Sequence, residues 1–72
     1  MMYQGVLSSA IAQVGYQSST HTLAIRFCTG REYWYAAVPP QIYQALLSAP
    51  SIGQYFNQAV RNAYPVRRVS QS

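Results

Sequence analysis

The stretch Thr22-Leu23-Ala24-Ile25-Arg26-Phe27-Cys28-Thr29-Gly30-Arg31-Glu32-Tyr33-Trp34-Tyr35 decides how this chain folds. Its first half alternates: Leu23, Ile25 and Phe27 fall on one side, Thr22, Ala24 and Arg26 on the other. A two-residue period of this kind marks a strand with one buried face. The turn that follows sets the register of what comes after it. A two-residue loop at Thr29-Gly30 would set Arg26 opposite Tyr33 and leave both Tyr33 and Tyr35 outside. A three-residue loop, Cys28-Thr29-Gly30, puts Gly30 in the left-handed position that closes a bulged hairpin. Ile25 then lies opposite Tyr33 and Leu23 opposite Tyr35, all on the buried face. Arg26 meets Glu32 on the other face, a favourable cross-strand pair. Only the three-residue loop satisfies both the apolar face and the single acid, and it turns Trp34 outward beside Arg26. There Trp34 could stack a base or be covered by the N-terminal segment or a dimer partner, burial by the protein itself being the favoured outcome.

Upstream, Ile11 to Tyr16 alternates more loosely. Ala12, Val14 and Tyr16 take one face, and Ile11, Gln13 and Gly15 the other, which predicts a first strand weakened or bulged at Gly15. Gln17 to His21 is a polar turn, and residues 1–10 are expected to fray, with Val6 and Leu7 nearest the core. Downstream, Val38-Pro39-Pro40 ends the third strand and opens a helix over Pro40 to Ser48, because Pro suits a first helical turn. Pro50 stops that helix. Ser51-Ile52-Gly53-Gln54 reads as a capping box for a second helix from Ile52 to about Asn62, with Ile52, Tyr55, Phe56, Ala59 and Val60 on its buried stripe. Gly53 in the first turn suggests close packing against a neighbouring backbone, or against a ligand. Tyr64 to Val69 is expected to run extended and the last three residues to be disordered. The predicted fold is α+β: a three-stranded antiparallel meander followed by two short helices packed on one face. It forms a single domain over 1–72 with its core at about 6–69.

Charge narrows the function. Only 8% of the 72 residues are charged, against about 25% in an average globular domain. All five basic residues are Arg, set against Glu32 alone, and the net charge is +4. Such a balance favours an anionic partner. The lone Cys28 forms no internal disulfide, and the start of the chain has neither a basic n-region nor an apolar run long enough for a signal or a membrane span. A cytoplasmic setting, with no membrane partner, is the expectation.

Catalysis finds little support. Cys28 and His21 lie at opposite ends of one strand, about 20 Å apart at a rise of about 3.3 Å per residue, too far to share a proton. One carboxylate excludes a two-carboxylate mechanism. One His with one Cys makes no zinc site, and no phosphate-cradling loop or lysine is present. No cofactor and no metal are expected.

Taken together, Ser8-Ser9, Val14-Gly15-Tyr16, Phe27-x-x-Gly30-x-x-Tyr33-x-Tyr35, Val38-Pro39, Tyr43-x-x-Leu46-Leu47 and Ser51-x-Gly53-x-Tyr55-Phe56-Asn57 resemble a KTSC domain. Arg61, Tyr64 and Arg67-Arg68 fit the same pattern, and the resemblance covers roughly residues 6 to 69. Such domains occur alone and at the C-terminus of some bacterial lysyl-tRNA synthetases. The resemblance implies no established activity, and the attachment to a tRNA-charging enzyme suggests RNA binding. Trp34 departs from the family pattern, in which its position is often polar.

Two functions follow. The first is a non-catalytic RNA-binding module, for tRNA or single strands, using Arg26, Trp34, Arg61, Arg67 and Arg68, with Ser51 and Gly53 at a helix start offering backbone N–H groups to a phosphate. The alternative is docking on a protein, or homodimerisation, through an open sheet face made apolar by Ile11, Ala24, Trp34 and Ala36.

Overall fold

The structure, a computed structural model, describes residues 2–69; the expectation for the last three residues lies outside that range. The elements run β1 (Tyr3–Gly5), β2 (Ile11–Gln17), β3 (Thr22–Phe27), β4 (Glu32–Tyr35), α1 (Pro40–Ser48), α2 (Ile52–Ala59) and β5 (Val66–Val69). The strands form one antiparallel sheet in the order β1-β2-β3-β4-β5. The sheet therefore has five strands, not the three expected. The N-terminal segment predicted to fray is β1 over three of its residues, and the extended tail is β5. Both strands are too short for a period to declare itself, and each is recruited by a neighbour that offers free backbone groups.

The β3–β4 hairpin closes as the residues demand. Gly30 has φ +93°, the Gly30 amide donates to the Phe27 carbonyl at 2.9 Å, and the Phe27 amide donates to the Arg31 carbonyl at 2.8 Å. Leu23 faces Tyr35, Ile25 faces Tyr33 and Arg26 faces Glu32. One face of the sheet thus carries Val14, Leu23, Ile25 and Tyr35, all buried, and α1 and α2 cover it with Leu46, Ile52 and Phe56. Aromatic pairs join the layers. Phe56 meets Tyr35 and Phe27 edge-to-face at 5.4 and 5.7 Å, and Tyr43 stacks on Tyr16 at 5.0 Å. Edge-to-face rings at these distances are favoured by the ring quadrupole.

The first strand differs from its expected phase. A bulge between Ile11 and Gln13 makes Ala12 the extra residue, so Ile11 sits opposite Phe27 on the helix side, 1% exposed. One local and one long-range anchor hold this end: Ser8 Oγ accepts from the Ile11 amide at 3.2 Å, and the Cys28 amide donates to the Ala10 carbonyl at 2.8 Å. Ile11 is core and is no part of an apolar outer face. Leu7, expected near the core, is fully exposed, whereas Val6 packs against it.

Helix α1 spans the expected residues, with Pro at its start. In α2 the Ser51 side chain accepts from the Gln54 amide at 3.4 Å, as the capping sequence implies. The helix ends at Ala59, three residues short of the predicted Asn62. A Cβ on Gly53 would meet only the Ser8 hydroxyl, at 3.8 Å. That is ordinary van der Waals contact, so no close-packed backbone explains this glycine.

Candidate nucleic-acid interface

The register divides the five arginines between the two sides of the sheet. Arg26 and Arg67 stand on the side away from the helices, in line with Glu32 and Trp34. Arg68 lies opposite Tyr33 and so shares the helix-side face. Arg31, next to the outward Glu32, also takes the helix side, and Arg61 follows α2.

On the side away from the helices, Glu32 is the hub. Its side chain is only 4% exposed, and it accepts from Arg26 Nε at 3.0 Å, from Trp34 Nε1 at 2.7 Å and from the Tyr3 hydroxyl. Arg26 also donates to Gln13 Oε1 at 2.8 Å, and its guanidinium lies 4.2 Å over the Tyr3 ring. The register aligns Tyr3, Gly15, Ala24 and Trp34 across neighbouring strands. Gly15 and Ala24 are small enough for the flanking rings to lie over them, and both are buried. Burial, reinforced by the hydrogen bond to Glu32, holds the Tyr3 phenol above its ordinary value. Arg26 and Trp34, singled out as ligand contacts, thus both hydrogen-bond to Glu32 of their own chain while remaining partly exposed. On the outer face proposed around Trp34 and Ala24, the Glu32 network is polar, Ala24 is buried, and Trp34 also lines a cleft of about 380 Å³ with Arg67, Arg68 and Val69.

The helix side is different. A cleft of about 540 Å³ opens between α2 and the β4–β5 edge, lined by Phe27, Tyr33, Tyr35, Phe56, Asn57, Arg61 and Asn62 among others. A second cleft of about 450 Å³ continues from it past the β3–β4 turn, lined by Ser9, Thr29 and Arg31 and sharing Ala10, Phe27 and Tyr33 with the first. Together they make one trough with an aromatic floor and an arginine at each end. The only acid points away through the sheet. Arg61 contacts Asn57 Oδ1 at 3.5 Å and is exposed. Burial raises the pKa of the Tyr35 phenol, while the Arg61 charge pulls it the other way. Phe27 and Tyr33 are both half-buried, which leaves part of each ring to a visitor.

Of the residues predicted for binding, Arg61 lines the trough; Arg68, though opposite Tyr33 in register, lines the separate cleft of about 380 Å³ with Trp34, Arg67 and Val69. Arg67 is exposed on the other side, opposite Trp34. Ser51 and Gly53 start α2, while Arg61 follows its end; eight residues of helix put them about 12 Å apart along the axis. The predicted set splits: Trp34, Arg67 and Arg68 meet at one cleft and Arg61 lines another. Arg31, Phe27, Tyr33 and Asn57 were missed as binding residues. The strand period that turns Tyr33 inward also turns Arg31 inward, so the face of Arg31 was readable. The trough itself was not, because α2 and β5 build its far wall.

Among the described residues, no group of three or more His, Cys, Asp and Glu is placed to hold a metal ion, and no helix is long and apolar enough to cross a membrane. Cys28 is exposed and free.

Known proteins share this arrangement. The crystal structure of a KTSC domain protein from Yersinia pestis superposes with a TM-score of 0.93 at 30% identity, covering 96% of this chain and 97% of that one. An uncharacterised protein of Stutzerimonas stutzeri is 43% identical over 54 residues, 75% of this chain and 76% of its own length. A lysine–tRNA ligase of Nostoc punctiforme is 39% identical over 62 residues, which are 86% of this chain and 11% of the ligase. The KTSC domain model matches residues 7–64, a span that holds the glycine turn, the paired tyrosines and the Phe56-Asn57 helix. The chain belongs to the KTSC domain family.

Proposed function

We propose that this domain is a non-catalytic module that binds RNA through the helix-side trough. The observation that carries the reading is the trough itself: aromatic rings on its floor, Arg31 and Arg61 at its ends, and no acid turned toward it. Arginine supplies phosphate contacts and aromatic rings accept bases, the combination that single-stranded nucleic acid requires. That a segment like this one forms part of lysine–tRNA ligases makes tRNA a candidate partner. An exposed free thiol suits a reducing, cytoplasmic setting.

An NMR titration of labelled protein with short single-stranded RNA, and with tRNA, at two salt concentrations tests this. Shifts are expected at Phe27, Arg31, Tyr33, Asn57 and Arg61, and not around Glu32. Two arginines on phosphates give a slope of log K against log salt of about −1.4. Absence of shifts at low salt overturns the reading.

Protein docking is the second reading, and the free edge of β5 favours it, since an edge strand offers unpaired backbone groups. Two copies pairing antiparallel through that edge would bring Arg67 and Arg68 against their like, which is unfavourable. Sedimentation equilibrium is expected to give a monomer. A dimer broken by substituting Pro for Val66 would instead promote this alternative.

A further inference from the structure

We infer that the trough takes two successive unpaired nucleotides, splayed apart, one in each lobe, and that the lobe beside Arg61 is the one that reads the base. This rests on the RNA reading above and adds to it the length, strandedness and selective half of the site. The two lobes, of about 540 and 450 Å³, share Phe27 and Tyr33 as a common wall. Each falls within the range of about 300–1,000 Å³ typical of sites for one small ligand. The shared rings stand edge-to-face, 5.7 Å apart with their planes 78° from parallel. Two bases resting on these two rings would therefore lie nearly perpendicular to each other. In a duplex, neighbouring bases are parallel and stacked, so the wall accepts a single strand whose bases have separated and rejects a double helix. RNA-binding proteins commonly take bases in this splayed form.

The lobes differ in polar chemistry. Asn57 and Asn62 line the Arg61 lobe only. With its carbonyl turned to Arg61, Asn57 retains two N–H donors, and Asn62 brings both donors and an acceptor, a fixed pattern that only some base edges match. The Arg31 lobe offers the hydroxyls of Ser9 and Thr29, which rotate to donate or accept and so discriminate poorly. Arg61 and Arg31 then each hold a phosphate at the outer end of their lobe.

The test uses the intact chain with RNA oligomers of increasing length from a mononucleotide to a hexamer, followed by fluorescence anisotropy, alongside a blunt duplex of the hexamer sequence. Affinity is expected to rise roughly tenfold from one nucleotide to two, as a second base gains its stacking surface, and to change by less than about threefold per residue thereafter. The duplex should bind at least about tenfold more weakly than the hexamer. Among dinucleotides the preference for one base should vanish in N62A and in N57A, both at exposed positions, while the least preferred dinucleotide keeps its affinity. A steady climb in affinity to the hexamer, equal binding of the duplex, or a base preference that survives both substitutions overturns this inference and leaves the RNA reading intact. No binding at any length overturns both.

Discussion

The two sides of the sheet use the same kinds of residue to opposite ends. Away from the helices, an arginine, a tyrosine and a tryptophan converge on buried Glu32, and their polar atoms find partners within the chain. On the helix side, an arginine at each end of the trough and the rings of Phe27 and Tyr33 meet no acid at all. Arg26 and Arg61 look alike in a composition count. Only the position of one carboxylate makes the first a structural strut and leaves the second exposed at the trough. With a single acid in the chain, the arginine beside it on the sheet is tied into a network, while Arg31 and Arg61 on the helix side, and Arg67 at the β5 edge, stay exposed.

The largest expected effect comes from deleting the hub. Glu32→Ala leaves the Arg26 guanidinium, the Trp34 N–H and the Tyr3 hydroxyl without their shared acceptor; because Arg26 is partly open to water, the loss is expected at about 2–3 kcal/mol. Urea denaturation should show the loss, with a red shift of Trp34 emission, while RNA affinity below the unfolding transition stays unchanged. If affinity falls with stability, the two sides are not independent.

The paired substitutions Arg26→Gln and Arg61→Gln test the comparison directly. Arg61→Gln should weaken RNA binding roughly tenfold and make the salt slope shallower by about 0.7, the signature of one lost phosphate contact. Arg26→Gln should leave both unchanged and lower stability by about 1 kcal/mol, the worth of the hydrogen bonds it gives up. The reverse result would move the site to the other side of the sheet.

Gly30→Ala addresses the turn that sorts the two sides. At φ +93° a Cβ is strained, and a loss of about 1–2 kcal/mol is expected in thermal or urea unfolding. The amide shifts of Tyr33 and Trp34 would reveal any slip in register, which would exchange their faces.

Tyr3→Phe removes one spoke of the network, at a cost of about 1 kcal/mol near neutral pH. It also has a pH signature. The folded-state pKa of Tyr3 is raised, chiefly by burial, above its ordinary value of 10.0. As pH rises, the unfolded chain loses this proton first, so the folded state holds more protons and stability falls with pH. The contribution is fully present below about 10 and lost as pH climbs through the folded value. Tyr16 and Tyr35 are raised in the same direction by burial, so the alkaline loss should shrink in Tyr3→Phe without disappearing.

The smallest effect belongs to Gly53→Ala. With only the Ser8 hydroxyl 3.8 Å from the new methyl, the substitution should stabilise α2 by about 0.5 kcal/mol. RNA affinity should not change, since this helix end lies away from the trough. A loss of affinity would restore the helix start as part of the site.

Local chemistry settled much of this protein in advance. The Leu23-x-Ile25-x-Phe27 period, a left-handed Gly30 and a single acid determined the β3–β4 register and the faces of Tyr33 and Trp34. Pro40, Pro50 and Ser51 determined where α1 starts and stops and where α2 starts. These are contests between nearby alternatives, decided by turn geometry and caps. Tertiary structure decided the rest. Tyr3-Gln4-Gly5 has no period of its own and becomes a strand because Glu32, 29 residues away, receives its tyrosine. Ala12 is bulged out because Ile11 gains more from burial beside Phe27 than the ladder loses. The KTSC pattern was recognisable from residues that sit in the core and the hairpin. The trough was not, because its walls come from β3, β4, α2 and β5, and long-range contacts that bring such segments together leave no period in the chain that makes them.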